Sequence, residues 1–439
     1  MSATASVTPS TPSTSSTSST SSTSSTSSTS STDRTAAGVA GEGPAPSARP
    51  ATLPVLTRPI YEDLRARALR FIEEELLPLE RRLGLAPSDP LPREVLRDIW
   101  KRSHALGLLT AAMPEALGGP GLTTVELCLL KAELASTGAL FAMHVLGELS
   151  GPPRIGNLMA IATPDQRARF LGPVMSGDKG VCFAMTEPHS GSDAASIRTR
   201  AVREGGELVI TGQKHFITGS PFADIAIVMC VTDPEAGPKG ITAVFVELDA
   251  PGVRVDSSYV PMSGQHIDAD IHFDQVRVPV GNVIGGFGAG LRLGMARIHL
   301  NRLLHTATMI GLARRVHRMS LAYAVERQQF GGPIARFQAI QHLLADMQTE
   351  LFACESMMLH AAMRADAGDP LKWEASACKL FISERCFAIA DRAVQIHGNV
   401  GVTQNHPVEL AFRQLRMMRI LTGTSEIQRN TIAREILPS

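Results

Sequence analysis

Between residues 55 and 180 apolar positions recur three and four apart, over Tyr61 to Leu79, Leu91 to Leu109, Thr123 to Ala135 and Gln166 to Met175. Ala86-Pro87, Gly118-Gly119-Pro120-Gly121 and Gly151-Pro152-Pro153 interrupt them, so the pattern predicts a helical N-terminal domain. Near residue 181 the period drops to two. Glu207 to Thr211, Ile225 to Val231 and Ile241 to Leu248 are rich in β-branched residues, and Asp270 to Asp274 and Arg277 to Val280 alternate polar with apolar. Their hairpin-like separations predict an antiparallel sheet or barrel rather than βαβ units. After the Gly-rich turn at 285–290 the helical period returns. Helices are expected at about 291–328, 334–367, 370–398 and 424–436, with Asp366-Ala367-Gly368-Asp369-Pro370 as a stop-and-start signal.

The expected fold is therefore α+β: a helical domain over 54–180, a β domain over 181–285 and a helical bundle over 286–439. Residues 1–53 are Ser/Thr/Pro-rich, with a near-repeat of Ser-Ser-Thr. Such a segment has too little apolar surface to offset its ordering entropy and is expected to be disordered. The chain has 439 residues, with Lys+Arg and Asp+Glu both at 42. That balance argues against nucleic acid or a membrane surface as partner. No apolar run reaches the roughly 20 residues of a membrane span. The N-terminus has no basic, then apolar, leader, so a cytosolic location is expected. Cys128, Cys182, Cys230, Cys354, Cys378 and Cys386 show no C-x-x-C or metal-finger spacing and read as free thiols.

Gly285-Gly286-Phe287-Gly288-Ala289-Gly290 lacks the G-x-G-x-x-G spacing of a dinucleotide loop and reads as a turn before a helix. Thr186-Glu187-Pro188-His189-Ser190-Gly191-Ser192-Asp193 carries more information, because it concentrates hydroxyls and backbone N–H groups directly after an apolar segment. Those groups suit the carbonyl and phosphate oxygens of a ligand.

From about residue 55 to the C-terminus the chain resembles the acyl-CoA dehydrogenase family. The resemblance rests on Met113-Pro114-Glu115-Ala116-Leu117-Gly118-Gly119, on Phe183 to Asp193, and on Lys214-His215-Phe216-Ile217-Thr218-Gly219. Further along it rests on Arg327-Gln328-Gln329-Phe330-Gly331 with Phe337-Gln338, on Gln395-Ile396-His397-Gly398, and on Gly423-Thr424-Ser425-Glu426-Ile427-Gln428-Arg429. It implies FAD as cofactor and an acyl-CoA or carrier-bound acyl thioester as substrate. An electron-transfer flavoprotein as electron acceptor and a homotetramer or homodimer also follow from it. Phe183 and Thr186 would contact the flavin, Phe216 would stack on its ring and Thr218 would face its N5. Arg327 would reach the FAD pyrophosphate of a neighbouring subunit, with Phe330, Gln338, Gln395 and Gly398 nearby. Thr424 and Glu426 would line the FAD site. Ser192, Arg302 and Gly423 would contact the substrate.

Dehydrogenation of a thioester needs a base for the α-proton. The resemblance places the family's carboxylate either just before Gly423 or just before Arg302. Those positions hold Thr422 and Asn301, neither of which takes up a proton near neutral pH. His305, one helical turn from Asn301, titrates in the useful range, whereas His299 points elsewhere on an ideal helix. An α,β-dehydrogenase with a displaced base is the leading reading. A flavin monooxygenase or oxidase, an acyl-thioester reductase, or a non-catalytic flavin- and acyl-CoA-binding protein remain alternatives. No metal site is expected.

Overall fold

The computed structural model describes residues 57–437, apart from the side chains of Asn157, His299 and Leu300. The expectation of a disordered tail over 1–53 lies outside the described residues. In the N-terminal part α1 (Pro59–Arg70) runs through a widened turn into α2 (Leu77–Leu83), followed by α3 (Arg93–Ala105) and α4 (Thr124–Thr137). Short turns α5 (Ala142–Val145), α6 (Pro164–Gln166) and α7 (Gly172–Met175) lead into the sheet. Thr123 and Glu126 form a reciprocal capping box at the start of α4. The buried Glu126 carboxylate also receives the Arg58 guanidinium and backbone, which anchors the beginning of α1 to α4.

Eight strands form the central sheet: β1 (Val181–Ala184), β2 (Arg200–Glu204), β3 (Glu207–Thr218), β4 (Ile225–Val231), β5 (Ile241–Glu247), β6 (Val253–Asp256), β7 (Asp268–Pro279) and β8 (Val283–Ile284). The order is β6-β7-β3-β2-β4-β5-β8, with β1 alongside β4. Pairing is antiparallel as expected, except that β1 and one bridge of β2 run parallel to β4. The two strands expected over 270–274 and 277–280 are one strand, β7, bent at Gln275 with φ 51°. Strand β4 is apolar at every position because both faces are covered. Ile225, Ile227 and Met229 face one core with Phe170, Phe245 and Leu293, while Ala226, Val228 and Cys230 face the other with Ile210 and Phe273.

The C-terminal bundle consists of α8 (Gly290–Glu326), α9 (Gln338–Asp366), α10 (Glu374–His397), α11 (Pro407–Met418) and α12 (Ser425–Ile436). A two-strand hairpin, β9 (Gln328–Gln329) and β10 (Gly332–Pro333), joins α8 to α9. Helix α11 was not anticipated from the sequence. Its Pro407 start, capped by the His406 ring, reads locally as a loop. Helix α4 shares a core with the bundle, where a Cβ at Gly311 of α8 would collide with the Ala132 carbonyl oxygen. All six cysteines are buried and unpaired.

His144 tests the packing of the N-terminal core. Its Nδ1 accepts from Trp100 Nε1 at 3.3 Å, while its buried Nε2 has no partner. Burial lowers its pKa from 6.5 to about 3, so the folded state holds it neutral. The unfolded chain protonates it below its ordinary pKa. The stabilisation is thus complete above pH 6.5 and is lost as pH falls towards the folded value. That loss reaches about 2 kcal/mol near pH 5. Urea midpoints at about pH 7 and pH 5 should separate less for His144→Leu than for the parent. An equal separation in both would contradict this assignment.

Candidate functional site

The register of β3 against β7 slips between Lys214 and Ile217. This bulge re-aims the side chains beside it. Phe216 adopts φ 53° and is 54% exposed, propped edge-on by Tyr259 with ring centroids 4.9 Å apart. A bulky residue in that backbone region costs free energy, and here the bulge leaves an aromatic face bare at a cavity wall. The Asp270 carboxylate holds the bulge through His215 Nδ1 at 2.7 Å and the Phe216 N–H at 3.3 Å. Two residues on, Thr218 hydrogen-bonds the Asp268 carboxylate; burial raises the Asp268 pKa, and its Oδ1 has no partner.

Under the Thr186–Asp193 loop lies a buried ion pair. Lys214 Nζ donates to Glu187 Oε1 at 2.7 Å and to the Met185 carbonyl at 3.0 Å. The same carboxylate accepts the backbone N–H groups of Arg198 at 2.7 Å and Thr199 at 2.9 Å. Burial opposes the charge of Glu187, but Lys214 and these donors outweigh it and leave its pKa below the ordinary value. The Thr186 carbonyl accepts from the His215 N–H at 2.8 Å, locking loop to strand.

Opposite this wall, α8 presents Arg297, Asn301, His305 and Thr308 at four- and three-residue spacing, all facing one cavity of about 350 Å³. The turn before α12 closes it. Thr422 has φ 56° and Gly423 φ 93°, and their carbonyls are held by Gln428 Nε2 at 3.2 and 2.9 Å. Lys379 Nζ also donates to the Gly423 carbonyl at 2.8 Å, and burial lowers the Lys379 pKa to about 8. This strained turn sets Thr422 Oγ1 2.9 Å from His305 Nδ1. His305 does not titrate in the range expected from the sequence: burial, followed by the charges of Lys131, Arg154, Arg297 and Lys379, lowers its pKa to about 3, so the ring is neutral. Arg302 is buried behind Gly423 and donates to Ser376 Oγ at 3.2 Å.

Of the residues expected from the sequence, Phe183, Thr186, Phe216, Thr218, Asn301, His305 and Thr422 line this cavity together. Thr424 caps α12 and Glu426 lies exposed in its first turn. Ser192 is exposed at the loop tip. Arg327, Phe330, Gln338, Gln395 and Gly398 are exposed near the far end of α8 and do not reach the cavity of their own chain. The ends of α8 and α10 meet there through Tyr323 and His397, stacked at 4.5 Å. Sequence reasoning missed Arg154, Arg297 and Asp268, and the Lys131–Glu148 ion pair at 2.7 Å, all of which line the cavity. Arg297 was open to discovery, because it stands four residues before Asn301 on one helix face. Among the described residues no cluster suits a metal ion.

Three acyl-CoA dehydrogenase domain families match in order: N-terminal over 59–178, middle over 182–276 and C-terminal over 288–437. The chain belongs to the acyl-CoA dehydrogenase family. It is an FAD-dependent oxidoreductase acting on the CH–CH bond of an acyl-CoA. It is 38% identical over 344 residues to the probable acyl-CoA dehydrogenase YngJ of Bacillus subtilis, covering 77% of this chain and 89% of that one. It is 33% identical over 377 residues to the caffeyl-CoA reductase-Etf complex subunit CarC of Acetobacterium woodii, covering 85% and 97%. The solved butyryl-CoA dehydrogenase of Megasphaera elsdenii superposes with a TM-score of 0.78 at 28% identity, covering 87% of this chain and 99% of that one. Among the described residues no helix is long and apolar enough to cross a membrane.

Replacing Lys214 by Met leaves Glu187 buried without its cation. Such a loss costs on the order of 3–5 kcal/mol. Urea unfolding of Lys214→Met should show that deficit, together with reduced FAD retention through purification. A variant as stable and as yellow as the parent would refute the role given to the pair.

Proposed function

We propose that the protein exchanges the α-proton of its acyl thioester through Thr422 and His305, in place of a carboxylate base. The observation that carries this reading is the 2.9 Å contact between Thr422 Oγ1 and His305 Nδ1 on the cavity wall. The bare face of Phe216, the Thr218 hydroxyl and the unpartnered Asp268 Oδ1 suit a flat, hydrogen-bonding ring at the opposite wall. Phe183, Thr186, Phe216 and Thr218 would hold the isoalloxazine. When bound, FAD supplies the acceptor for the hydride leaving the β-carbon.

Thr422 Oγ removes the proton from the α-carbon as its own hydroxyl proton passes to His305 Nδ1, so His305 holds the net proton. The ring is neutral and its Nδ1 lone pair is available, but burial and its cationic neighbours make it a weak base. It takes the proton only as negative charge at the site offsets those cations. Asn301, one turn away, is left to donate an N–H to the thioester carbonyl as negative charge develops. In the reductive direction the same pair returns the proton to the α-carbon. That direction is in keeping with the reductase name of the Acetobacterium relative.

Arg327, Phe330, Gln338, Gln395 and Gly398 are assigned to the FAD site of a neighbouring subunit in a homo-oligomer. Their exposure supports this, as does the apolar surface around them, with Phe330 87% and Val325 64% exposed. The Etf in the relative's name supports an electron-transfer flavoprotein as acceptor.

Anaerobic mixing of the FAD-loaded protein with a panel of acyl-CoAs should bleach the flavin. His305→Gln should slow bleaching by about 100-fold or more, the usual scale of acid–base catalysis. Thr422→Glu should restore a carboxylate and add an acid limb to the pH–rate profile. Equal rates for parent and His305→Gln would remove the relay. Separately, sedimentation should show Phe330→Asp shifted to a smaller species with lowered FAD content, whereas an unchanged assembly would argue against the subunit-crossing site.

A further inference from the structure

The cavity carries two guanidinium groups that the proton chemistry does not use. Arg154 ends the turn Pro152–Arg154 after α5, and Arg297 lies on α8 one turn before Asn301. Both line the cavity, and the Nε of each is buried without a hydrogen-bond partner. Arg297 is fixed by stacking over Phe183, its guanidinium carbon 4.7 Å from the ring centroid. Of the two cavity acids, Glu148 pairs with Lys131 at 2.7 Å and Asp268 bonds Thr218; both also attract Arg154, whereas neither offsets the charge of Arg297. Burial, and then the repulsion of Arg154, lowers the Arg297 pKa to about 9. Arg297, buried beside a second guanidinium and with no acid of its own, lacks the counter-charge that burial demands.

We infer that Arg154 and Arg297 form an anion subsite for a carboxylate carried by the acyl group, so that the substrate class is the thioester of a short dicarboxylic acid. The inference rests on the acyl-thioester reading of the same cavity. Chain length follows from helix geometry. Arg297 stands about 6 Å along α8 from Asn301, four residues at the helical rise. Since Asn301 marks the reacting end, a carboxylate at that distance belongs to an acyl chain of roughly four to six carbons. A guanidinium offers paired donors matched to a carboxylate, and the bound anion would supply the counter-charge that Arg297 lacks and offset its repulsion with Arg154.

Matched CoA thioesters that differ only in the terminal carboxylate test this on the FAD-loaded protein. Glutaryl-CoA against pentanoyl-CoA and succinyl-CoA against butyryl-CoA are titrated by flavin absorbance, then mixed anaerobically to follow bleaching. The dicarboxylic member of at least one pair should bind about 10-fold or more tightly, the scale of a charge-assisted hydrogen bond. Arg297→Met and Arg154→Gln should each collapse that ratio to less than about threefold. Equal affinities within both pairs, or a ratio untouched by either substitution, would overturn the inference. So would variants that lose FAD while keeping the ratio, because the arginines would then serve the flavin. If uncharged thioesters bleach the flavin and dicarboxylic ones bind no better, only this inference falls. If no thioester of either kind perturbs the flavin, the acyl-thioester reading falls with it.

Discussion

The site is assembled around the ion pair of Glu187 and Lys214, whose side chains are 1% and 0% exposed. Glu187 belongs to the loop after β1 and Lys214 to β3, while the N–H groups that complete the carboxylate's shell come from the segment entering β2. Three successive pieces of chain, 11 to 27 residues from Glu187, are therefore tied at one buried point. From there Thr186 is pinned to His215, and the bulge that bares Phe216 begins at the next residue. A buried charge pair contributes little net stability but strongly penalises any arrangement that separates its members. Its value here is positional, since loop and bulge cannot shift independently.

The opposite wall depends on a different economy. The turn at Thr422 and Gly423 accepts left-handed backbone, and carbonyl contacts from Gln428 and Lys379 hold it in place. A side chain set by such a turn has little freedom, so a hydroxyl there meets the His305 ring at hydrogen-bond distance. Burial, and then the surrounding cations, keep that ring neutral. Proton chemistry and acyl-chain charge are then linked, because an anion among those cations would make the imidazole more basic.

Much of this was readable from residues alone. Long helices declared themselves by periodicity, and the apolar run of β4 by β-branching and length. The parts that were missed are those where local signals are weak. Strand β2 is almost wholly exposed and charged, so it lacks an apolar alternation, and Gln275 splits the pattern of β7 although its hydrogen bonds continue. Within the site, contiguous motifs identified Phe183, Thr186, Phe216 and Thr218. Arg154 sits in an aperiodic Gly/Pro turn, and only folding brings it towards Arg297. The pairing of Thr422 with His305 spans 117 residues and has no sequence signature.

Helix α8 runs unbroken for 37 residues, from the sheet past Asn301 and His305 to the hairpin that begins beyond Arg327. At the helical rise that is about 55 Å of rod. Loss or gain of one residue would turn everything beyond it by about 100° relative to the cavity. Arg327 would then leave the face it now occupies even though every side chain was retained. The helix thus acts as a ruler and a protractor. Its length and phase, more than the identity of most residues along it, set where Arg327 stands relative to the cavity.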